Sequence, residues 1–315
     1  YFLAVVGKYL LVFIGLSLKL FLNYVFSTME NYTELFIDEA HKIVTESWYD
    51  ASRTTVVITH GFTGHPGGPA VKALVNAHIG HHNVALLNWD KLAAHTFPSI
   101  LTSYMTWAAP NSIQLGADFS ETLFKLSEAG LDLNNTHLIG HSLGAHIFGI
   151  AGNKMLEKGM QLPWITGLDP AIGFDMKPAF LRLRPTSARF VSVIHSDPHK
   201  FGTKREIGYV DFWPNYKGMG AVVQPGCPNN PQRFSDEDFC SHNRAWKLLV
   251  DAIKYPGTLI GCHAKHFRAW KRFSESDKRS ANTLDIAVKD ENASPGNYFF
   301  ITGSESPYGM GEHGY

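Results

Sequence analysis

Residues 139–146 read Ile-Gly-His-Ser-Leu-Gly-Ala-His, a Gly-x-Ser-x-Gly pattern with Ser142 at its centre. In this pattern a strand turns sharply into a helix and leaves the serine hydroxyl exposed at the turn. The flanking sequence suits both elements, because residues 136–139 form a short apolar run and residues 145–154 contain no proline. The two glycines allow the backbone to pass close to itself where a side chain would collide. The stretch therefore predicts a strand, a nucleophilic serine and a helix in that order.

Similar apolar runs recur along the chain and alternate with amphipathic segments. Because short buried strands that alternate with helices are typical of parallel sheets, we predict an α/β fold with a mostly parallel central sheet and helices on both faces. Active residues in such sheets gather at the carboxyl ends of the strands. The predicted strands are 54–59, 83–87, 136–139, 164–168 and 190–194, and the predicted helices are 69–77, 113–126, 145–154 and 243–253.

The composition bounds the class of protein. The chain has 315 residues, of which 44% are hydrophobic and 18% charged, and its formal net charge is zero. This balance is that of a globular protein, and nothing in the overall charge would attract nucleic acid. No repeat or low-complexity linker divides the chain, so we expect a single domain over residues 29–315.

The first 28 residues differ from the rest. Residues 2–25 are strongly apolar, interrupted by Lys8 and Lys19, and the first acidic residue is Glu30. Residues 9–18 have the length of a signal-peptide core, while the longer stretch approaches an imperfect membrane span. We predict an apolar leader over residues 1–28, with a secretory signal favoured over an anchor or a gene-model extension.

A serine nucleophile needs a base that takes its proton and an acid that orients the base. Asp169 ends a predicted strand and precedes proline, which places it at the carboxyl edge of the sheet. Several histidines follow it, and the residues alone leave the choice open, with His242 and His195 the best placed. Those histidines are His195, His199, His242, His263, His266 and His313.

Ester chemistry also needs donors for the charge that develops on the carbonyl oxygen. The backbone amide of Leu143, directly after the serine, is one expected donor. The other is the amide of Phe62, because Gly61 in the loop after the strand at 54–59 permits close approach. We therefore predict an oxyanion hole formed by Phe62 and Leu143.

Taken together, these segments resemble the animal lipase family that includes pancreatic lipase, lipoprotein lipase, the phospholipases A1 and the insect yolk proteins. The resemblance covers about residues 35–312 and implies the α/β-hydrolase fold, with Ser142 as nucleophile, Asp169 as acid and His242 as base. His195 is then structural. The matching runs are 58–62, 137–146, 166–171, 193–197, 210–215, 224–227, 240–242 and 303–307.

The segment between Cys227 and Cys240 corresponds to the lid of this family. Only twelve residues separate the two cysteines, whereas triacylglycerol lipases carry a long lid. The short lid resembles that of the phospholipase A1 members, so we expect phospholipase A1 activity at a lipid interface. The alternatives are a triacylglycerol lipase, a soluble small-ester esterase and a non-catalytic lipid-binding protein of the yolk type.

Other departures from the family carry further expectations. Residues 182–187 read Arg-Leu-Arg-Pro-Thr-Ser where pancreatic-type relatives place acidic calcium ligands, so we predict no metal and no cofactor. We expect no carboxy-terminal β-sandwich and no colipase-like partner. The usual partner of Cys262 is absent, which leaves that thiol unpaired. Asn88 stands before Trp89 where the family usually has aspartate.

Overall fold

The computed structural model describes residues 21–25 and 32–315, the former by their backbone. Its strands form one sheet, and each predicted strand lies within one or two residues of an observed one. The strands are β1 (Phe21–Val25), β2 (Tyr32–Phe36), β3 (Thr55–Thr59), β4 (Asn83–Asn88), β5 (Thr136–His141), β6 (Trp164–Leu168), β7 (Phe190–Ile194), β8 (Val210–Pro214), β9 (Ile260–His263), β10 (Thr283–Asp285) and β11 (Gly296–Phe300).

The centre of the sheet is parallel. The strand order is β10-β9-β11-β8-β7-β6-β5-β3-β4-β1-β2, and every neighbouring pair from β11 to β4 runs parallel. The outer strands pair antiparallel. The predicted fold class is confirmed, and the carboxyl ends of β3, β5 and β6 meet at one edge of the sheet.

The helices agree with the predicted ones to within a few residues at each end. They are α1 (Pro69–His78), α2 (Ile100–Ser103), α3 (Ala109–Glu128), α4 (Leu143–Glu157), α5 (Cys240–Lys254), α6 (Phe267–Trp270) and α7 (Glu275–Ser280). A π-helical turn, Tyr104–Ala108, joins α2 to α3. This turn was not predicted from the sequence, because five residues are too few to produce a periodic pattern.

Helices cover both faces of the sheet, and the side chains of the central strands alternate between two cores. On β3, Val57 packs with residues of α3 and α4, such as Phe119 and Phe148. Val56 packs on the other face with residues of α1 and α5, such as Leu74. Burying each large apolar side chain contributes about 1.5–3 kcal/mol. The two cores therefore hold the helices, and the loops between strands and helices, at fixed positions.

The apolar leader is described only in part. Residues 1–20 and 26–31 lie outside the described residues. They include most of the predicted leader and its boundary at residue 28. Within it, β1 pairs antiparallel with β2 and with β4. None of the helices in the described part of the chain is both long and apolar enough to cross a membrane.

Candidate active site

Ser142 lies at the turn between β5 and α4. Its backbone has φ 57° and ψ −118°, a left-handed conformation that a non-glycine residue adopts at a cost of about 1–3 kcal/mol. Its N–H donates to the carbonyl oxygen of Leu168 at 2.9 Å, which fixes the turn against β6. A Cβ on Gly140 would overlap the backbone of Gly144, and a Cβ on Gly144 would lie 2.7 Å from Thr59 Cγ2. Both glycines are therefore required by close packing.

Asp169 follows β6 and is fully buried. Its Oδ1 accepts hydrogen bonds from the backbone amides of Ser196 (2.8 Å) and Asp197 (2.9 Å). Its Oδ2 accepts from Nδ1 of His242 at 2.5 Å. Gly202 closes the other side, since a Cβ there would overlap the carboxylate. The carboxylate thus has a fixed orientation toward the imidazole.

His242 lies in the first turn of α5, and its ring packs between neighbouring rings. The ring centroids are 4.7 Å from His141, 5.8 Å from Phe201 and 6.3 Å from Phe239. His242 and Ser142 line the same cleft. Among the residues the structure describes, no hydrogen bond joins Ser142 Oγ to the His242 ring. Catalytic hydrogen bonds are often long before substrate binds, so the lack of this bond does not argue against a catalytic pair.

His141 is the nearest titratable neighbour of the His242 ring. Burial lowers the pKa of His141 well below its ordinary value, and the neighbouring His242 lowers it further. His141 is therefore neutral at pH 7 and adds no positive charge beside His242. Sequence reasoning did not assign it a role, although it lies inside the Gly-x-Ser-x-Gly pattern.

The loop after β3 approaches the serine directly. A Cβ on Gly61 would lie 2.6 Å from Ser142 Cβ and 3.2 Å from its Oγ. The backbone N–H of Phe62 makes no hydrogen bond within the described chain. The N–H of Leu143 is the first of α4, so the helix offers it no carbonyl. The two amides predicted to form an oxyanion hole therefore flank the serine and have hydrogen-bonding capacity to spare.

A polar cluster that sequence reasoning missed supports this loop. Trp89 Nε1 donates to the carbonyl oxygen of His60 at 2.9 Å, and the two rings stack with centroids 5.7 Å apart. Asn88 Oδ1 lies 3.2 Å from His60 Nε2. Burial lowers the pKa of His60, so it is neutral at pH 7. Asn88 offers an uncharged hydrogen-bond partner to the uncharged His60 ring. This gives a physical reason for asparagine, rather than aspartate, before Trp89.

Asp197 is the least expected group near the Asp169–His242 pair. It is fully buried, and within the described residues its carboxyl group has no hydrogen bond of good geometry, only a weaker contact with the backbone of Phe201. Burial, followed by the neighbouring Asp169 carboxylate, raises the pKa of Asp197 to about 8. Ligand atoms of Asp169, Asp197 and His242 lie within 4.8 Å of one another, which is close enough for a divalent cation. A cation there would replace the Asp169–His242 hydrogen bond, so the arrangement fits acid–base chemistry better than metal binding.

The alternative base, His195, lies elsewhere. Its Nε2 is 2.8 Å from Asp211 Oδ1, its Nδ1 is 3.2 Å from the carbonyl oxygen of Thr203, and its ring stacks on Trp213. It does not line the cleft. Of the six histidines that follow Asp169 in sequence, all within the described chain, only His242 has a ring nitrogen bonded to that carboxylate.

The cleft above Ser142 has a volume of about 280 Å³. Part of its lining, here called the apolar wall, consists of Phe62, Ile100, Leu101, Tyr104 and Ile172. Another part, here called the charged wall, consists of Lys200, Arg233 and Asp238 together with the adjacent rings of Phe201, Phe234 and Phe239. A larger cavity of about 630 Å³ lies at the amino ends of the strands, and its lining includes none of Ser142, Asp169 and His242. The candidate site is therefore identified by the residues that line it and not by the size of the cavity.

The segment between Cys227 and Cys240 forms part of the charged wall. The two cysteines form a disulfide with Cα atoms 5.7 Å apart, and Cys262 is buried and unpaired. Asp238 ties this segment to the loop after β7, because Lys200 Nζ lies 2.6 Å from its Oδ1. The short lid is thus fixed at both of its ends.

The sheet order and the strand–serine–helix turn define an α/β-hydrolase. A family model described as Lipase matches residues 18–308. The chain belongs to the lipase family, and the resemblance seen in the sequence is confirmed.

Individual relatives agree with this assignment. "Phospholipase A1" of Polybia paulista is 34% identical over 267 residues, which cover 82% of this chain and 79% of that protein. "Lipase member H-A" of Xenopus laevis is 31% identical over 83% of this chain and 57% of its own length. "Pancreatic triacylglycerol lipase" of Mus musculus is 31% identical over 76% of this chain and 53% of its own length. The chain thus spans about half the length of the last two proteins.

Proposed function

We propose that the protein hydrolyses carboxylic esters of glycerolipids through a covalent acyl-enzyme. The observation that carries the proposal is the buried hydrogen bond between Asp169 and His242, at one cleft with a serine in the strained turn after β5. Ser142 is the nucleophile, His242 the base and Asp169 the acid that orients it. Phe62 and Leu143 donate to the oxyanion.

The reaction proceeds in two steps that use groups of the chain and water. Ser142 Oγ attacks the ester carbonyl carbon while His242 Nε2 takes the hydroxyl proton. The tetrahedral intermediate places its negative charge at the Phe62 and Leu143 amides, each such donor being worth about 10²–10³ in rate. Collapse breaks the ester C–O bond, and His242 returns the proton to the departing alcohol. A water molecule, deprotonated by His242, then attacks the acyl carbon, the bond to Ser142 Oγ breaks, and His242 returns the proton to Ser142 as the fatty acid leaves.

Phospholipase A1 activity is favoured over triacylglycerol hydrolysis. The supporting observations are the twelve-residue lid and the cations of the charged wall, which suit an anionic headgroup better than a third acyl chain. A relative named as a phospholipase A1 is 34% identical and one named as a triacylglycerol lipase is 31% identical, so triacylglycerol hydrolysis is the second candidate. The Cys227–Cys240 disulfide supports secretion, because such bonds persist in oxidising compartments.

The test is hydrolysis of phosphatidylcholine labelled at the sn-1 position and of triolein by the purified protein. We expect Ser142→Ala to lower the rate by at least about 10³-fold, since it removes the nucleophile. Ser112→Ala is the matched control, because it removes a buried serine hydroxyl on α3 away from the cleft. Activity that survives in the Ser142 variant would overturn the mechanism.

The yolk-type alternative is tested separately with a fluorophosphonate probe. A reactive serine forms a covalent phosphonate with the probe, and the adduct is detected by intact mass. We expect labelling of the folded wild-type protein at Ser142. A folded protein that remains unlabelled would favour a non-catalytic lipid-binding role.

A small-ester esterase is distinguished by the dependence of rate on substrate aggregation. We expect the rate on a short-chain phospholipid to rise when its concentration passes the critical micelle concentration. A rate that saturates below that concentration, with no further rise, would favour the soluble esterase.

A further inference from the structure

The charged wall of the cleft carries three charged side chains. These are Lys200, from the loop after β7, and Arg233 and Asp238, from the lid segment. Their formal charges sum to +1. The polar residues His141, Ser142 and His242 of the lining have already been described. The lining therefore combines a net positive charge with a large apolar surface.

Lys200 is already compensated by Asp238. Its Nζ lies 2.6 Å from Asp238 Oδ1 and donates to the backbone carbonyl of the same residue at 3.1 Å. Burial alone would raise the pKa of Asp238, but hydrogen bonds from Lys200 and from the Phe234 amide, together with the charges of Lys200 and Arg233, outweigh burial and lower it. Asp238 therefore stays ionised at neutral pH, and the pair contributes little net charge.

Arg233 is the cation that remains. It is exposed, and it forms no ion pair within the residues described. Its guanidinium carbon lies 5.6 Å from the ring centroid of Phe234. Because that contact leaves the N–H groups of the guanidinium free, Arg233 keeps its capacity to donate to an anion.

The backbone that carries Arg233 is held in place. Phe234 has φ 62°, a conformation that needs support in a non-glycine residue. Its N–H donates to Asp238 Oδ2 at 2.8 Å, and its ring packs against that of Phe201 at 6.2 Å. The turn therefore presents Arg233 at the cleft without a large loss of backbone entropy on binding.

We propose that Arg233 binds the phosphate of a glycerophospholipid whose ester lies at Ser142. This inference rests on the proposed function. A guanidinium matches two phosphate oxygens with parallel hydrogen bonds, and charge-assisted bonds of this kind are about twice as strong as neutral ones. The acyl chain then lies along the apolar wall formed by Leu101 and its neighbours.

The same residue disfavours a triacylglycerol. Such a substrate places a hydrocarbon chain where the phosphate would lie, so that Arg233 loses water without gaining a partner. Arg233 thus favours the phospholipid in two ways: it attracts the phosphate, and a triacylglycerol would have to desolvate its charge without compensation.

The test compares 1,2-dihexanoylphosphatidylcholine with 1,2-dihexanoylglycerol, both kept below the concentration at which they aggregate. Monomeric substrates separate recognition in the cleft from adsorption to a charged surface. We expect Arg233→Gln to lower the ratio of kcat/KM for the phospholipid to that for the diacylglycerol about tenfold, equivalent to about 1.4 kcal/mol. Arg233→Lys should retain part of the ratio, because it keeps the charge and loses the paired geometry.

Arg272→Gln is the matched control, since Arg272 is also an exposed arginine but does not line the cleft. Thermal unfolding of each variant checks that it is folded. A ratio that Arg233→Gln leaves at the wild-type value overturns the headgroup site and leaves the proposed hydrolase intact.

A second measurement does not depend on turnover. The diether analogue of the phospholipid is titrated into the Ser142→Ala protein, and Arg233→Gln in that background should raise the Kd about tenfold. An Arg233-dependent Kd without hydrolysis of either ester would keep the phosphate site and overturn the proposed function. A Kd that does not depend on Arg233 overturns the site.

Discussion

Replacing Asp197 by asparagine tests the electrostatics of the region around the Asp169–His242 pair. Asp197 is fully buried, its carboxyl group makes only a weak contact with the backbone of Phe201 within the described chain, and its neighbour Asp169 is also a carboxylate. Asparagine has nearly the same shape and no charge. Its backbone N–H continues to donate to Asp169 Oδ1. The substitution therefore removes one titratable group and changes the packing little.

The magnitude follows from the raised pKa of Asp197. The ordinary value is 3.8 and the folded value is about 8, a difference of about 4 units. At about 1.36 kcal/mol per unit, ionising this group in the folded protein costs at most about 5–6 kcal/mol. The effect of Lys200 is already contained in this value, but water entry and local relaxation reduce the cost, and we expect about 3 kcal/mol.

The sign is set by proton binding. Between pH 4 and pH 8 the folded protein binds more protons at Asp197 than the unfolded chain does, so stability falls as pH rises through this window. Below pH 4 both states are protonated, and the group makes no difference. Above pH 8 the full penalty is present. The Asp197→Asn protein lacks the penalty and is the more stable protein at high pH.

Urea unfolding at pH 5 and pH 9, with the disulfide intact, measures the effect. The loss of unfolding free energy between the two pH values should be about 3 kcal/mol larger in wild type than in Asp197→Asn. Asp50→Asn serves as a control, because Asp50 is an aspartate far from Asp197 whose pKa is lowered by hydrogen bonds from Ser52 and which stays ionised over this range, so its profile should run parallel to wild type. A parallel profile for Asp197→Asn would refute the reasoning.

Three further outcomes are expected. Gly61→Ala should lower kcat on a short-chain ester about 10²-fold with the fold retained, because its Cβ would lie 2.6 Å from Ser142 Cβ and displace the oxyanion loop; near-wild-type kcat would contradict this placement. Joint replacement of Cys227 and Cys240 by serine should lower the unfolding free energy by about 3 kcal/mol, the value for a loop of this length, and a loss below about 1 kcal/mol in urea unfolding would contradict it. Cys262 should react with a thiol reagent only on unfolding, since it is fully buried and burial raises its pKa to about 11; rapid labelling of the native protein would show otherwise.

The parallel sheet could be predicted from sequence because its strands are continuous apolar runs. Residues 136–139 and 164–168 are buried on both faces, and such runs carry their own signal whatever surrounds them. The strands that were not predicted are β1, β2, β8, β9, β10 and β11. All of them except β8 lie on the antiparallel sides of the sheet or next to them, where only tertiary pairing distinguishes a strand from a loop. β8 reads Val-Asp-Phe-Trp-Pro, in which an aspartate and a proline interrupt the apolar run.

The position of Ser142 could also be predicted, because the glycines around it report a local steric requirement. The choice of His242 required the family resemblance, since the histidine comes 73 residues after Asp169 and no local pattern links them. Asp197 and Arg233 had no sequence signal at all. Burial of a carboxyl group without a hydrogen bond of good geometry, and exposure of a cation beside a cleft, are properties of the assembled loops.

The two buried His–Asp pairs show what distinguishes a candidate catalytic pair from a structural one. Both His242–Asp169 and His195–Asp211 join a ring nitrogen to a carboxylate, at 2.5 Å and 2.8 Å. In the second pair the other ring nitrogen contacts the carbonyl of Thr203, so both nitrogens are occupied. In the first pair, Nε2 makes no hydrogen bond within the described chain, and the imidazole lines the cleft. Since a base must have one nitrogen free to take a proton, the vacant nitrogen of His242, rather than its carboxylate, is the feature that selects it.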